Sequence, residues 1–313
     1  MTPTTEALPT EQTPIRLLWL DLTRKCQLTC THCYNASGPD GTQGTMSRED
    51  WIRVLDQAAA YGVRNVQLIG GEPTMHPDFA ELVDCALSLG LHVEVFSNLV
   101  HVSRECWELF RRDGLSLATS YYSGQSAEHD AVTRRPSHGR TRANIERAAG
   151  LGIPLRVGII TTADEQRVSA ARRDLESMGV TRIGVDHVRP FGRGAQGQAP
   201  DMAKLCGGCG TGTAAVGPDG RVSPCVLSGF IDAGNVRGAP LADILGGGPM
   251  AEAGAAIRRA TGSVSPWCRP DDHECSPGHP GTECSPKRQG AYAPQSIRSG
   301  ALGSGRAVHG RVG

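Results

Sequence analysis

The chain predicts an α/β protein: a partial (β/α)6 TIM-type barrel, left open, followed by a small Cys-rich C-terminal metal-cluster domain. Three observations carry this. Apolar runs alternate with helical stripes across residues 15–193, at intervals of about thirty residues, as parallel strands joined by right-handed crossovers do. The alternation then stops, whereas a closed eight-unit barrel needs roughly 250 residues. Behind a Gly/Gln/Pro-rich stretch, six of the 11 cysteines crowd between Cys206 and Cys284.

Taken in order, Arg16 to Leu22 reads as a buried strand. Ser47 with Asp50 makes a helix N-cap with an acidic first turn, and Trp51, Val54, Leu55, Ala58 and Ala59 form the helix's apolar stripe. Val66 to Ile69 is the second strand and ends at Gly70-Gly71-Glu72-Pro73. Asp78 to Leu89 is helical, with Phe79, Leu82, Val83 and Ala86 at helical spacing. Leu91 to Phe96 is the third strand and ends at Ser97-Asn98. Ser103 to Arg112 is a helix, Leu115 to Tyr122 the fourth strand and Thr141 to Leu151 a helix. Leu155 to Thr161 is the fifth strand, Asp164 to Met178 a helix and Arg182 to Val188 the sixth strand. Parallel α/β architectures bind ligands at the C-terminal ends of their strands. The residues there (Cys26, Cys30, Cys33, Gly70-Gly71-Glu72, Asn98, Ser120 and Arg189) are therefore expected to meet at one cavity.

The totals exclude several classes. Lys+Arg and Asp+Glu are both 32, so bulk charge favours neither nucleic acid nor a membrane surface. Met1 to Pro14 has no basic and apolar signal-peptide pattern and reads as a flexible N-terminus (residues 1–14), and no run reaches the length of a membrane span. A cytoplasmic protein is expected. In a reducing compartment, 11 cysteines point to metal binding or catalysis ahead of disulfides.

Cys26-Gln-Leu-Thr-Cys30-Thr-His-Cys33 is the most informative stretch. A structural zinc site takes four protein ligands, usually from CxxC pairs. A trio spaced x3 then x2 suits instead an iron–sulfur cluster whose fourth iron stays open to a small ligand.

This CxxxCxxC loop after strand one, with GGEP after strand two on six βα units, resembles the radical S-adenosylmethionine (SAM) superfamily over Leu17 to Arg193. The resemblance implies that Cys26, Cys30 and Cys33 ligate a [4Fe–4S] cluster whose remaining iron chelates SAM. Gly70, Gly71, Glu72 and Pro73 would form the motif that receives the methionine ammonium. His32 and Tyr34 would lie against the adenine, and Asn98 and Ser120 would meet the ribose and carboxylate. A reduced cluster in that family cleaves SAM to a 5′-deoxyadenosyl radical that abstracts a substrate hydrogen atom. An electron donor such as a flavodoxin or ferredoxin is implied. One departure is visible: relatives of similar layout read Ser-Leu-Asp-Gly at strand four, and this chain reads Ser120-Tyr-Tyr-Ser-Gly124. The acidic residue that serves some members as acid or base is missing, which disfavours sulfatase-type maturation.

Residues 194–205 read as a linker and 206–289 as the second domain. Cys206-Gly-Gly-Cys209 is followed by Pro218-Asp-Gly220, a hairpin turn that aims Cys225 back at the pair. The element resembles the SPASM extension with its auxiliary iron–sulfur clusters. One auxiliary [4Fe–4S] cluster is expected on Cys206, Cys209 and Cys225 with one of Cys268, Cys275 and Cys284. A second would need His273, His279 or an outside ligand, and a zinc ribbon is the competing reading.

Other residues read as structural. Cys85 and Cys106 lie on helices among apolar neighbours. His76 caps a turn, and Gly246-Gly-Gly248 ends a short helix. Residues 290–313 lack apolar periodicity and read as a disordered tail, with a basic grip on an acidic leader peptide as the alternative.

The SPASM resemblance implies a maturase of a ribosomally made peptide, forming a cross-link or an epimer. With so little chain ahead of strand one, a short-peptide substrate or a separate peptide-recognition protein would be needed. A dehydrogenase or epimerase of a sugar or aminoglycoside is the small-molecule alternative. A non-catalytic zinc-binding or scaffold protein is the third reading, against which the intact trio with GGEP stands.

Overall fold

The computed structural model describes residues 14–161 and 165–262. The expectations for residues 1–13, Cys268, Cys275, Cys284, His273, His279 and the tail 290–313 lie outside the described residues.

The βα alternation is present. Strands β1 (Leu17–Asp21), β2 (Asn65–Ile69), β3 (His92–Phe96), β4 (Leu115–Tyr121), β5 (Leu155–Thr161) and β6 (Arg182–His187) pair in parallel, each with the next. The intervening helices are α1 (Arg48–Tyr61), α2 (Phe79–Ser88), α3 (Arg104–Phe110), α4 (Ser126–Thr133), α5 (His138–Gly150) and α6 (Glu165–Ser177). Local chemistry sets their starts. Ser47 and Asp50 form a reciprocal capping box on α1, Gly62 closes that helix in the left-handed region, and Ser103 caps α3.

Strand parity divides the side chains. Leu18, Leu20, Val66, Leu68, Val93, Val95, Leu117 and Val157 face the helices and form the main core with Trp51, Leu55, Leu82 and Phe110. The alternate residues, among them Trp19, Gln67, Phe96, Arg156, Ile160 and Asp186, line the cavity inside the open barrel. Glu94 shares that inner face, bound by Arg156 at 2.6 and 2.7 Å.

Two features depart from expectation. Residues 126–133 form α4, whose short polar sequence carries little apolar periodicity. Asp130 on α4 accepts from the backbone N–H groups of Ser137 and His138 at 2.9 and 2.8 Å, which starts α5 at His138, ahead of Thr141. The second departure is the linker. It contains two short helical turns, Gly192–Ala195 and Met202–Lys204, and delivers β7 (Thr213–Val216) to the vacant edge of β1. With β8 (Arg221–Ser223) and β9 (Gly234–Asn235) the result is one sheet ordered β6-β5-β4-β3-β2-β1-β7-β8-β9. The expected boundary at 193–206 therefore does not interrupt the sheet, because the free edge of β1 is satisfied by β7. Helices α7 (Leu241–Leu245) and α8 (Gly248–Thr261) complete this side, Leu241 N donating to Gln57 Oε1 on α1 at 2.6 Å.

Candidate active site

The loop leaving β1 carries the first thiol trio and is held on several sides. Cys26 N donates to Gly38 O at 3.0 Å. On the outer side, Thr29 N and Thr31 N donate to the carbonyls of Thr133 and Val132 at 3.2 and 2.9 Å, so the end of α4 flanks Cys30. On the far side Arg193 donates through Nε to Cys30 O and through Nη2 to Ser37 O, both at 2.7 Å. The result is that Cys26, Cys30 and Cys33 all line one cavity of about 330 Å³.

Their environment suits thiolate ligands of a cluster. Leu28 N and Asn98 Nδ2 approach Cys26 Sγ at 3.4 and 3.6 Å as donors, and N–H groups on cluster sulfurs are a recognised way of tuning iron–sulfur centres. Burial pushes the Cys26 thiol up to about 12 and the Cys30 thiol up to about 11, and the neighbouring thiols add to both shifts. Without a metal these thiols stay protonated in neutral water, whereas a thiol that coordinates a metal does so as the thiolate. Among the described residues no three His, Cys, Asp or Glu are grouped to hold a single metal ion. A cubane cluster makes a different demand, since each thiolate binds a different iron. The donor set and its N–H partners fit a [4Fe–4S] cluster.

The Gly70-Gly71-Glu72-Pro73 turn is bolted to that loop. Gly71 N donates to Thr23 O at 2.7 Å and Glu72 N to Lys25 O at 2.8 Å. Gly70 has φ +139, and a Cβ there would stand 2.6 Å from Thr23 O; a Cβ on Gly71 would collide with the Lys25 carbonyl. Both glycines line the cavity. Glu72 and Pro73 are buried beside it and are absent from its walls. Glu72 Oε1 accepts from Thr74 Oγ1 at 2.7 Å, and Oε2 accepts from Asn98 N at 2.8 Å. The carboxylate expected to meet an ammonium thus braces the turn against the end of β3. Burial raises its pKa, and these hydrogen bonds oppose the shift.

The other expected SAM contacts reach the cavity: His32, Tyr34, Asn98 and Ser120 all line it. His32 meets the ring of Tyr122 edge-on, centroids 5.1 Å apart, and burial with the nearby Arg193 charge lowers its pKa to about 4, so the ring is neutral. Tyr34 Oη is buried without a hydrogen-bond partner. Asn98 pairs its amide with that of Gln27, at 3.0 and 3.2 Å.

The second trio lines the same cavity. The hairpin turn forms as expected, Gly217 N donating to Arg221 O at 2.8 Å, and returns Cys225 to the pair. Cys209 Sγ lies 3.1 Å from Cys225 Sγ and 4.0 Å from Cys206 Sγ. Hydrogen bonding to Cys206 and then to Cys225, with burial, raises the pKa of Cys209, and the hydrogen bond from Cys209 lowers that of Cys225. All three line the same cavity as Cys26, Cys30 and Cys33, with Trp19, Ile69, Phe96, Leu205 and Leu227 as apolar lining.

Sequence reasoning missed several lining residues. Tyr122, His129, Arg156, Asp186 and Arg193 all reach the cavity. Strand parity could have found Arg156 and Asp186; no local signal marked Arg193. Cys85 and Cys106 pack against the main core as half-buried small side chains, and His76 Nδ1 accepts from Asp78 N at 3.2 Å, a turn cap.

Comparison with known proteins agrees with this geometry. The model of the radical SAM superfamily matches residues 20–172, and that of SPASM, an iron–sulfur cluster-binding domain, matches residues 206–276. A PqqA peptide cyclase of Methylobacterium sp. (strain 4-46) is 34% identical over 196 residues, covering 60% of this chain and 50% of that protein. The sporulation killing factor maturation protein SkfB of Bacillus subtilis (strain 168) is 31% identical over 180 residues, covering 57% of this chain and 44% of that protein. The chain spans about half the length of the curated relatives it matches. Among solved structures, Streptococcus suis SuiB bound to S-adenosylmethionine superposes with a TM-score of 0.65 at 16% identity, over 78% of this chain and 68% of that one, a likeness of fold. With both thiol trios inside matched segments and the open parallel barrel beneath them, the chain carries a radical SAM domain over residues 20–172 and a SPASM iron–sulfur cluster-binding domain over residues 206–276.

Proposed function

We propose that this chain is a radical SAM enzyme that matures a ribosomally made peptide by forming a cross-link or an epimer. The observation that carries the reading is the single cavity lined by both thiol trios. Cys26, Cys30 and Cys33 would hold a [4Fe–4S] cluster, with Gly70, Gly71, His32, Tyr34, Asn98 and Ser120 around SAM. Cys206, Cys209 and Cys225 would hold an auxiliary [4Fe–4S] cluster with a fourth thiolate from Cys268, Cys275 or Cys284; the domain match, ending at residue 276, supports the first two. When bound, the reduced cluster and SAM supply a 5′-deoxyadenosyl radical that takes a hydrogen atom from an unactivated C–H.

The chain's own part is orientation and exclusion of water. Trp19, Ile69, Phe96, Ile160 and Leu227 make apolar walls that keep solvent from a reactive carbon centre. Leu28 N and Asn98 Nδ2 orient Cys26, while the Glu72 carboxylate fixes the turn that presents Gly70 and Gly71.

The peptide named in the PqqA cyclase, the maturation role printed for SkfB and the SuiB complex with precursor peptide SuiA support a peptide substrate here. A flavodoxin or ferredoxin would deliver the electron and a separate recognition protein the peptide. Among the described residues no helix is long and apolar enough to cross a membrane, and the thiol-rich sites suit a reducing cytoplasm.

Anaerobic reconstitution followed by dithionite and SAM should release 5′-deoxyadenosine. Cys30→Ala should abolish that product while iron stays at the second centre. A colourless, zinc-loaded protein, or a Cys30→Ala variant that still cleaves SAM reductively, would sink the reading. With a short peptide encoded beside the gene, the product should lack two hydrogens per cross-link or contain an inverted residue. Turnover of a sugar alcohol, with that peptide untouched, would move the substrate to the small-molecule class.

A further inference from the structure

Gly192-Arg193-Gly194 lies beyond the last barrel strand, in what the composition presents as a linker, yet it is built around the first thiol loop. Arg193 Nε donates to Cys30 O and Nη2 to Ser37 O, each at 2.7 Å, and Arg193 N donates to Cys33 O at 2.9 Å. One residue thus holds three carbonyls of the loop from a distance of 156 positions (Ser37) to 163 positions (Cys30) in the chain. The loop's own backbone contacts there are single turns, Cys33 N to Cys30 O at 3.3 Å and Ala36 N to Cys33 O at 3.2 Å.

The flanking glycines permit the approach. Gly192 has φ +54, and a Cβ on it would collide with the carbonyl oxygens of Cys33 and Tyr34; a Cβ on Gly194 would collide with Arg189 O and come within 3.3 Å of His32 O. The planar fork of a guanidinium spans two acceptors in a fixed geometry, which an ammonium does not. The chain then reaches Cys206 through the helical turn Met202–Lys204.

We propose that Arg193 is the positioning residue of the cluster loop: it brackets the carbonyls of Cys30, Cys33 and Ser37, keeps the three thiols turned to the cavity, and ties that loop to the segment leading into the second thiol trio. It rests on the reading that Cys26, Cys30 and Cys33 hold an iron–sulfur cluster. Groups that orient metal ligands from outside typically contribute ~10–100-fold in metal affinity or activity.

The test uses the full chain, reconstituted anaerobically and reduced, with electron paramagnetic resonance recorded before and after SAM is added. The signal that changes with SAM reports the first centre, and the signal indifferent to SAM reports the auxiliary one. Arg193→Gln should lower the SAM-sensitive signal by about tenfold at limiting iron while the other signal stays. Arg193→Lys should behave likewise, because charge without the fork cannot span both carbonyls. Gly192→Ala, which leaves the arginine side chain in place but forces the segments apart, should give the same selective loss. Wild-type signal in Arg193→Gln or full rescue by lysine overturns the proposal. So does loss of both signals together, which would make the bracket a general element of the fold. A wild-type protein with no SAM-sensitive signal would instead overturn the cluster assignment.

Discussion

Asn98 N donates to Glu72 Oε2 at 2.8 Å, so the turn after β2 is locked to the end of β3 through a buried carboxylate. The same asparagine carries its side-chain amide to Cys26 Sγ at 3.6 Å and accepts from Thr141 Oγ1 through its carbonyl at 3.1 Å. One residue therefore links the glutamate of the motif, the first thiol and the start of α5.

Glu72→Ala should be destabilising because it leaves Asn98 N and the Thr74 hydroxyl without their acceptor. Stranding a buried donor costs about 1–3 kcal/mol. Glu72→Gln keeps one acceptor oxygen and should recover part of that. Thermal unfolding and SAM titration by calorimetry, run on both variants, check the order wild type, glutamine, alanine. Equal stability of wild type and Glu72→Ala would show that the carboxylate is not the brace.

Glu94 and Arg156 form a bidentate pair on the inner face of the barrel, at 2.6 and 2.7 Å, with Gln67 on the same carboxylate. Burial alone would raise the Glu94 pKa, but the Arg156 charge and these hydrogen bonds hold it below the usual carboxylate value. A depressed folded pKa contributes stability above the unfolded value of about 4.3, and that stability is lost as pH falls through the folded pKa. Urea unfolding of the wild type should therefore weaken below about pH 4.3 more steeply than that of Glu94→Gln. Arg156→Gln, which strands the carboxylate, should cost about 3–5 kcal/mol near neutral pH, and adding Glu94→Gln should return part of it. Additive losses in the double variant would contradict the pairing.

Much of this was legible in the chain because the signals are local. The Ser47–Asp50 capping box, the Ser103 cap, the 3.6-residue stripes and the glycine turn before Cys225 each depend on a few neighbours in sequence. The x3 and x2 spacing of Cys26, Cys30 and Cys33 belongs to the same class. What stayed hidden depends on partners far apart. Arg193 becomes informative only when the exit of β6 folds back on Cys30, and β7 becomes a sheet strand only beside the free edge of β1. The brace formed by Glu72 stayed hidden for the same reason, since its acceptor oxygens meet Thr74 and Asn98, a residue of the next strand end.

Asp130 caps α5 from the preceding helix, accepting from Ser137 N and His138 N, and the carbonyls of Val132 and Thr133 at the end of that helix hold Thr31 N and Thr29 N. Asp130→Ala should cost about 0.5–2 kcal/mol through the lost cap. Because the flank of Cys30 rests on the same segment, amide exchange at Thr29 and Thr31 should accelerate with it. Hydrogen exchange read by mass spectrometry checks the coupling. Faster exchange confined to α5 would separate the cap from the cluster loop.

Gly71 offers the sharpest steric test. Its missing Cβ would collide with the carbonyl of Lys25, the residue immediately before Cys26, and would meet the Ser37 side chain at 2.9 Å. Gly71→Ala must push the turn and the thiol loop apart, costing about 1–3 kcal/mol as overpacking does, and should lower iron uptake at the first centre. Gly139, early in α5, has no neighbouring atom within 4 Å of its Cβ position. Gly139→Ala should stay within about 1 kcal/mol of wild type, on the stabilising side, with iron uptake unchanged. Denaturant midpoints and iron per chain distinguish the two, and equal iron uptake in both variants would show that the turn does not set the position of the loop.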